Sequence, residues 1–281
     1  LETARLQPAE RLAAARRVLL TPEESRAADP IPASDGPLRV GVDLGTAYVV
    51  VVVLSEDGTP LAGEYRFAQV ARDGLVVDFH GAVALVREMV EGLERRIGRA
   101  LEHAASGYPP GVPPVEVRAT GNVLEAAGLA CSGLIDEPSA ANLVLGLTDG
   151  VIVDVGGGTT GIAVIQSGEV VHTADEATGG THFSLVIAGA LDVPLEAAER
   201  LKLDPAEQER LFPLVRPVME KVGAIAARAT AGFDVDCLTL VGGSSAFPGF
   251  AAVVAEYTGI ETRVAPEPMF VTPIGIAFFD K

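Results

Sequence analysis

Cysteine is scarce in this chain of 281 residues: Cys131 and Cys237 are the only two. They are too few for a disulfide framework and are not spaced as zinc ligands, which fits a reducing compartment. Four scattered histidines give no metal pattern either. Long apolar runs are also missing. Val49–Leu54 is far too short to cross a bilayer, and the first residues lack the apolar core of a signal peptide. Basic residues are few, 21 Lys and Arg against 38 Asp and Glu, so the formal net charge is −17. Such a chain repels nucleic acid and anionic lipid at long range, although a local basic site can still hold a phosphate. The expectation is a soluble cytoplasmic protein with no nucleic-acid partner and no membrane insertion.

What is abundant is apolar content, 48% of the residues, enough for one large core or two smaller ones. Residues 8–20, PAERLAAARRVLL, have a proline suited to a first helical turn and place Leu12, Ala15 and Leu19 on one face. DPIPASDGP (29–37) then reads as a linker, because proline and glycine stop helix and sheet alike. The body starts near Leu38. Strands are expected at 39–43, 48–54 and 61–68, a long helix at 80–104, then strand 115–119, helix 122–129, strand 133–136 and helix 138–146. The second half is expected to place strands at 151–155, 161–166, 169–174 and 237–241. Its helices are expected at 181–190, 195–202, 217–231, 247–257 and 273–279.

VIVDVGGGTTGIAVI (151–165) raises a question: one apolar run is interrupted by an aspartate, three glycines and two threonines. A buried carboxylate is costly and glycine is a poor strand former, so the stretch is locally unfavourable unless something binds there. The stretch VGVDLGTAYVVVVVLSEDG from Val40 has the same plan: apolar strand, aspartate, glycine turn with a hydroxyl, apolar strand, glycine turn. Asp43 matches Asp154 and Gly45 matches Gly156, so a duplicated unit is the economical reading. Two such units facing each other bring both turns to one cleft. Glycine lets backbone approach a ligand, and successive N–H groups in a tight turn form an anion nest. Two nests with two carboxylates suit a nucleoside triphosphate with Mg²⁺, which keeps part of its water shell. A Walker loop or a dinucleotide fingerprint opens a helix, whereas both turns here lead into another strand. For either turn alone, a β-hairpin with a structural glycine is the competing reading.

Five segments resemble, in order, the signature of the actin-like ATPase superfamily that includes actin, MreB, FtsA, sugar kinases and DnaK. They are VGVDLGTA (40–47), DEPSAANLVLG (136–146), VDVGGGTTG (153–161), LTLVGGSSAFPG (238–249) and TPIGIA (272–277). ARDGLVVDF (71–79) is similar to an MreB segment, and the string with DEATGGTHFSL and EKVGAIAAR is similar to a family encoded with ethanolamine-utilisation enzymes. The resemblance implies an α/β fold of two duplicated actin-like, ribonuclease H-like domains around a nucleotide cleft, with the outer subdomains reduced. The division it implies is an N-terminal helix and linker (1–37), a first subdomain (38–146 plus 263–281) and a second (147–262).

Carried over by position, the resemblance implies that Asp43 and Asp154 organise magnesium, while Gly45, Thr46 and Ala47 cradle phosphate. Gly156, Gly157, Gly158 and Thr159 would form the γ-phosphate loop. Glu137 would position attacking water, with Asp154 and Thr159 as its catalytic companions; its other reading is a helix-start carboxylate. Gly242, Gly243 and Ser244 would lie against adenosine, and Glu199 and Lys202 would contact ribose and base unless they form an ordinary surface ion pair. Departures from the pattern are Ser184, where many relatives carry aspartate, and the lack of a lysine over the γ-phosphate, for which Arg72 is the nearest basic residue. His182 reads as structural. The cofactors implied are ATP or ADP and Mg²⁺. The function implied is a chaperone-like accessory ATPase for ethanolamine-catabolic enzymes or their bacterial microcompartment. Alternatives are a non-hydrolysing adaptor, a small-molecule kinase and a filament former. The N-terminal segment either docks on the body or serves as an amphipathic address for a partner protein.

Overall fold

The computed structural model describes residues 6–32, 36–72 and 74–281. The elements run α1 (Pro8–Val18), β1 (Leu19–Leu20), α2 (Pro22–Ala27), β2 (Leu38–Leu44), β3 (Tyr48–Ser55), β4 (Pro60–Phe67), β5 (Ala71–Arg72), β6 (Leu75–Val76), α3 (Phe79–Ile97), β7 (His103–Tyr108), α4 (Pro114–Ala127), β8 (Ala130–Asp136) and α5 (Glu137–Leu145). They continue with β9 (Gly150–Val155), β10 (Thr160–Gln166), β11 (Glu169–Glu176), α6 (Gly180–Leu191), α7 (Leu195–Leu203), α8 (Pro205–Thr230), β12 (Cys237–Val241), a 3-10 turn (Gly243–Ala246), α9 (Phe250–Thr258), β13 (Glu261–Val264) and α10 (Pro268–Phe279). The chain divides into two compact units, one ending at Gly146 and regaining Phe270–Lys281, the other Leu147–Met269.

The two units are built on one plan. In the first, β4-β3-β2-β7-β8 lie side by side, with β2, β3 and β4 antiparallel and β2, β7 and β8 parallel. In the second, β11-β10-β9-β12-β13 repeat that order and those directions. The repetition seen in the sequence is therefore a repeated meander followed by two crossovers. Strands β3 and β9 are buried on both faces, which is why they read as unbroken apolar runs rather than as an alternation. In the second unit Val153, Ile162, Phe183, Met219 and Phe250 pack into one core; in the first, Val42, Val51, Met89, Leu93 and Leu124 do so.

Close backbone approach fixes α10 in the first unit. A Cβ on Gly41 would sit 2.7 Å from the Pro273 carbonyl, and one on Gly275 only 1.8 Å from that of Ala140. Asp280, fully buried behind α10, accepts from the Val40 N–H at 2.7 Å and meets His103 Nδ1 at 2.9 Å. These bonds tie the chain end to β2 and β7.

Four expectations are corrected. The helix expected at 80–104 ends at Ile97, because Gly98 adopts φ 75° and caps it, and His103–Tyr108 forms the interior strand β7. The strand expected at 115–119 is the first half of α4, started by Pro114 at a position that needs no N–H donor. The helix expected from 217 starts at Pro205 and carries Pro213 and Pro217 inside it. The N-terminal helix is not an address held out for a partner: Leu12, Ala15 and Leu19 are fully buried, and β1 pairs in parallel with β4. Of the expected linker 29–37, residues 33–35 lie outside the described residues, as does Asp73 of the segment 71–79.

Candidate functional site

In the second unit, β9 and β12 run parallel and end together, with Val241 opposite Asp154. The carboxyl ends of parallel strands are where open α/β sheets hold ligands. Asp154 is 6% exposed at the end of β9, and the turn Gly156–Thr159 closes with a Gly156 N–H to Thr159 carbonyl bond of 3.1 Å. Gly242, after β12, has φ 85°, and a side chain there would meet the Val155 carbonyl and, at 2.5 Å, Asp154 Oδ1. Only glycine satisfies both demands.

The carbonyls of this turn are already engaged. The first N–H groups of α6 reach back to it, Gly180 to the Gly156 carbonyl at 2.9 Å and Thr181 to that of Gly157 at 2.8 Å. Ser244 Oγ donates to the same Gly156 oxygen at 2.9 Å. With the carbonyls turned inward, the N–H groups of Gly157, Gly158 and Thr159 have no backbone acceptor among the described residues. Gly156 and Gly157 are half-buried, while Thr159 is 8% exposed. Tethered carbonyls with free amides are the arrangement of an anion nest.

Behind the turn, Glu199 and Lys202 of α7 are buried, so they are not a surface pair. Lys202 Nζ donates to Glu199 Oε2 at 2.7 Å and to the Gly180 carbonyl at 3.3 Å, and Ser184 Oγ donates to that same Oε2 at 2.5 Å. Glu199 Oε1 is shut off from solvent and has no hydrogen-bond partner. Burial pushes the Lys202 ammonium below the ordinary lysine range, and Glu199 offsets this only in part. His182 Nδ1 accepts from the Gly179 N–H at 3.2 Å, which gives this histidine a role in holding the start of α6.

In the first unit, Asp43 ends β2 and the turn Gly45–Ala47 follows, with a Gly45 Cβ excluded by the Tyr48 carbonyl at 2.7 Å. Glu137 opens α5 at the end of β8. Asp136 caps this helix, its Oδ1 taking the Ser139 N–H at 3.0 Å, and Glu137 lies in the first turn, where a carboxylate also suits the helix dipole. Arg72 is exposed on β5. Within each unit, then, Asp43, Glu137, Asp154 and Gly242 lie at or just past the carboxyl ends of parallel strands, whereas Glu199 and Lys202 lie on α7 and Arg72 on β5.

Gly179 and Gly180 were missed. A Cβ on Gly179 would lie 2.7 Å from the carbonyls of both Gly156 and Gly157, and one on Gly180 would overlap Ser244 Oγ. Paired glycines opening a helix, in ATGGTHFS, were the available signal. Among the described residues no three His, Cys, Asp or Glu side chains cluster as a metal-holding group. Magnesium held mainly through its waters needs fewer, and a single buried Asp154 beside an anion nest is compatible with it.

The family of the MreB/Mbl protein matches residues 62–191, and that of the cell division protein FtsA matches residues 151–275. The ethanolamine utilization protein EutJ of Escherichia coli (strain K12) is 44% identical over 246 residues, 87% of this chain and 87% of that protein. The chain belongs to the EutJ family. EutJ of Salmonella typhimurium is likewise 44% identical over 246 residues, 87% of this chain and 86% of that protein. The crystal structure of EutJ from Carboxydothermus hydrogenoformans superposes with a TM-score of 0.89 at 41% identity, covering 97% of this chain and 98% of that one. MreB5 of Spiroplasma citri bound to AMPPNP superposes at 0.70 with 16% identity, over 88% of this chain and 96% of that one, which shows the fold alone. The EutJ family thus has the actin-like fold, and its two units are the duplicated halves. No helix among the described residues is long and apolar enough to cross a membrane.

Proposed function

We propose that this EutJ-family protein binds a magnesium–nucleotide and acts as a chaperone-like accessory ATPase for ethanolamine-catabolic enzymes or their microcompartment. The observation that carries the nucleotide is the second unit's turn, whose carbonyls are tied down by Gly180, Thr181 and Ser244 while the amides of Gly157, Gly158 and Thr159 have no backbone acceptor among the described residues. Gly157, Gly158 and Thr159 receive the phosphates; Gly242, Gly243 and Ser244 flank adenosine. Glu199 and Lys202 enter as ribose and base contacts by sequence correspondence. The structures of MreB5 bound to AMPPNP and to ADP support the class of ligand.

Magnesium, when bound, shields the phosphate charge and orders water; Asp154 and Asp43 are the carboxylates assigned to it. Gly45, Thr46, Ala47 and Glu137 enter this reading by sequence correspondence. Cytoplasmic location and a protein client follow from the accessory role.

A second reading, a non-hydrolysing adaptor, is favoured by Ser184. Where the superfamily resemblance implies an aspartate, this hydroxyl is turned onto Glu199 and offers no carboxylate for polarising water. Calorimetric titration with ATP, with and without Mg²⁺, followed by phosphate release, separates the two. Magnesium-dependent heat with release supports the ATPase, and heat without release supports the adaptor. No heat in wild type, or unchanged heat in Asp154→Asn, overturns the nucleotide reading.

A further inference from the structure

The first unit contains a second place suited to an anion. The end of α2 and the residues after it face β4 and the last turns of α3 across a cavity of about 290 Å³. Its walls carry four arginines, Arg26, Arg66, Arg95 and Arg96, and two glutamates, Glu64 and Glu88. Both carboxylates are spent on one arginine: Arg66 bonds Glu64 through Nε and Glu88 through Nη1, the latter at 2.9 Å. Arg26, Arg95 and Arg96 have no ion-pair partner among the described residues. Arg96 Nε and Nη1, moreover, are closed off from solvent with no acceptor. Burial holds this guanidinium below its usual range, and Glu64 offsets that only in part.

A charged donor cut off from water is among the most expensive groups to leave unbonded, and such a group in a native structure calls for a partner. The surplus of positive charge is local, on a chain whose formal net charge is −17. The cavity is also built rather than incidental. The Ile31 N–H bonds the Arg96 carbonyl at 2.7 Å, fastening the segment after α2 to the end of α3. This segment lies outside both family matches, which begin at residues 62 and 151.

We propose that this cavity binds a small phosphate-bearing anion, gripped by Arg26, Arg95 and Arg96, and that the N-terminal segment is present in part to complete it. Planar guanidinium forks match the oxygens of a phosphate, and the volume is that of a small metabolite rather than a chain segment. A dianion is preferred because two guanidinium charges remain after the glutamates are counted.

Thermal melting of the whole chain with inorganic phosphate, at constant ionic strength, tests this. A saturable rise in Tm is expected, because a ligand that binds only the folded state stabilises it. Arg26→Ala/Arg95→Ala changes two exposed side chains, so the fold survives, and the apparent affinity is expected to fall at least about tenfold. Arg96→Lys, which keeps the charge and loses the fork, is expected to act in the same direction. A tighter response to glycerol 3-phosphate identifies an ester as the guest; a tighter response to phosphate itself identifies the free ion. The proposal is overturned by no rise with either probe, by a rise that chloride reproduces, or by one that survives the double arginine variant.

Discussion

Gly180→Ala probes how the anion nest is held. The backbone at this position is not in the left-handed region, so alanine is conformationally allowed and would by itself favour the helix by up to about 1 kcal/mol. Its Cβ, however, would lie 2.1 Å from Ser244 Oγ and 3.3 Å from both Ser244 Cβ and Lys202 Nζ. The hydroxyl has to swing off the Gly156 carbonyl, losing a bond worth about 1 kcal/mol. Overpacking at the start of α6 adds about 1–3 kcal/mol. The net expectation is a loss of about 1–3 kcal/mol in the urea transition of the second unit, with nucleotide affinity falling about tenfold as the turn loses an anchor. Ser244→Ala alone costs about 1 kcal/mol. In the double variant the overlapping atom is gone, so its cost is smaller than the sum of the singles by at least about 1 kcal/mol. Additive costs would refute the reasoning, since they would mean that the two side chains do not compete for the same space.

Two further outcomes follow from buried contacts. Lys202 is depressed below its ordinary value of 10.5, so between its folded pKa and 10.5 the unfolded chain holds more protons and this residue's contribution to stability rises with pH. Nuclear magnetic resonance of the lysine Cε, assigned with Lys202→Arg, should show titration below 10.5; a value at or above it contradicts the burial argument. Glycine-to-alanine changes at Gly275 and Gly189 should have opposite signs. The first drives a Cβ to 1.8 Å from the Ala140 carbonyl and costs more than about 3 kcal/mol, whereas the second enters open space on the exposed face of α6 and gains up to about 1 kcal/mol. Denaturation midpoints of the two units check both, and equal effects would show that the α10 contact is looser than drawn.

The strands that flank each glycine turn were legible because their physics is local: β-branched runs, an aspartate near the strand end and a glycine-bearing turn. Strand β7 was not. HAASGY has small side chains, no branched residue and no alternation, and its pairing between β2 and β8 is a tertiary fact that the segment does not advertise. Helix α4 misled for the opposite reason, since VEVR alternates like a strand while Pro114 and the buried Val123 and Leu124 make it a helix. The same division runs through the site. Gly156–Thr159 and Gly242–Ser244 announce themselves, whereas the role of Gly180 depends on where Ser244 comes to lie. The arginines at 26, 66, 95 and 96 share no spacing that a reader of the sequence could notice.

The N-terminal segment shows how a duplicated plan is made unequal. Each half leaves the third strand of its meander at an edge, and an uncovered edge invites pairing with another chain. In the second unit β11 is an edge strand among the described residues and carries Glu169, Asp175 and Glu176, with Val170 and Val171 exposed. In the first unit β1 pairs with β4 instead, and Gly63 leaves room for Leu19, whose side chain occupies the space a Cβ would need. Covering the edge with chain rather than charge frees Glu64 to point inward, where it is 3% exposed and holds Arg66. Once β1 is fixed, α2 must turn back over the end of α3, and the space enclosed there is the arginine-lined cavity. Edge protection and an anion site are thus two consequences of one docking event, so a change that undocks β1, such as Gly63→Val, should remove both together.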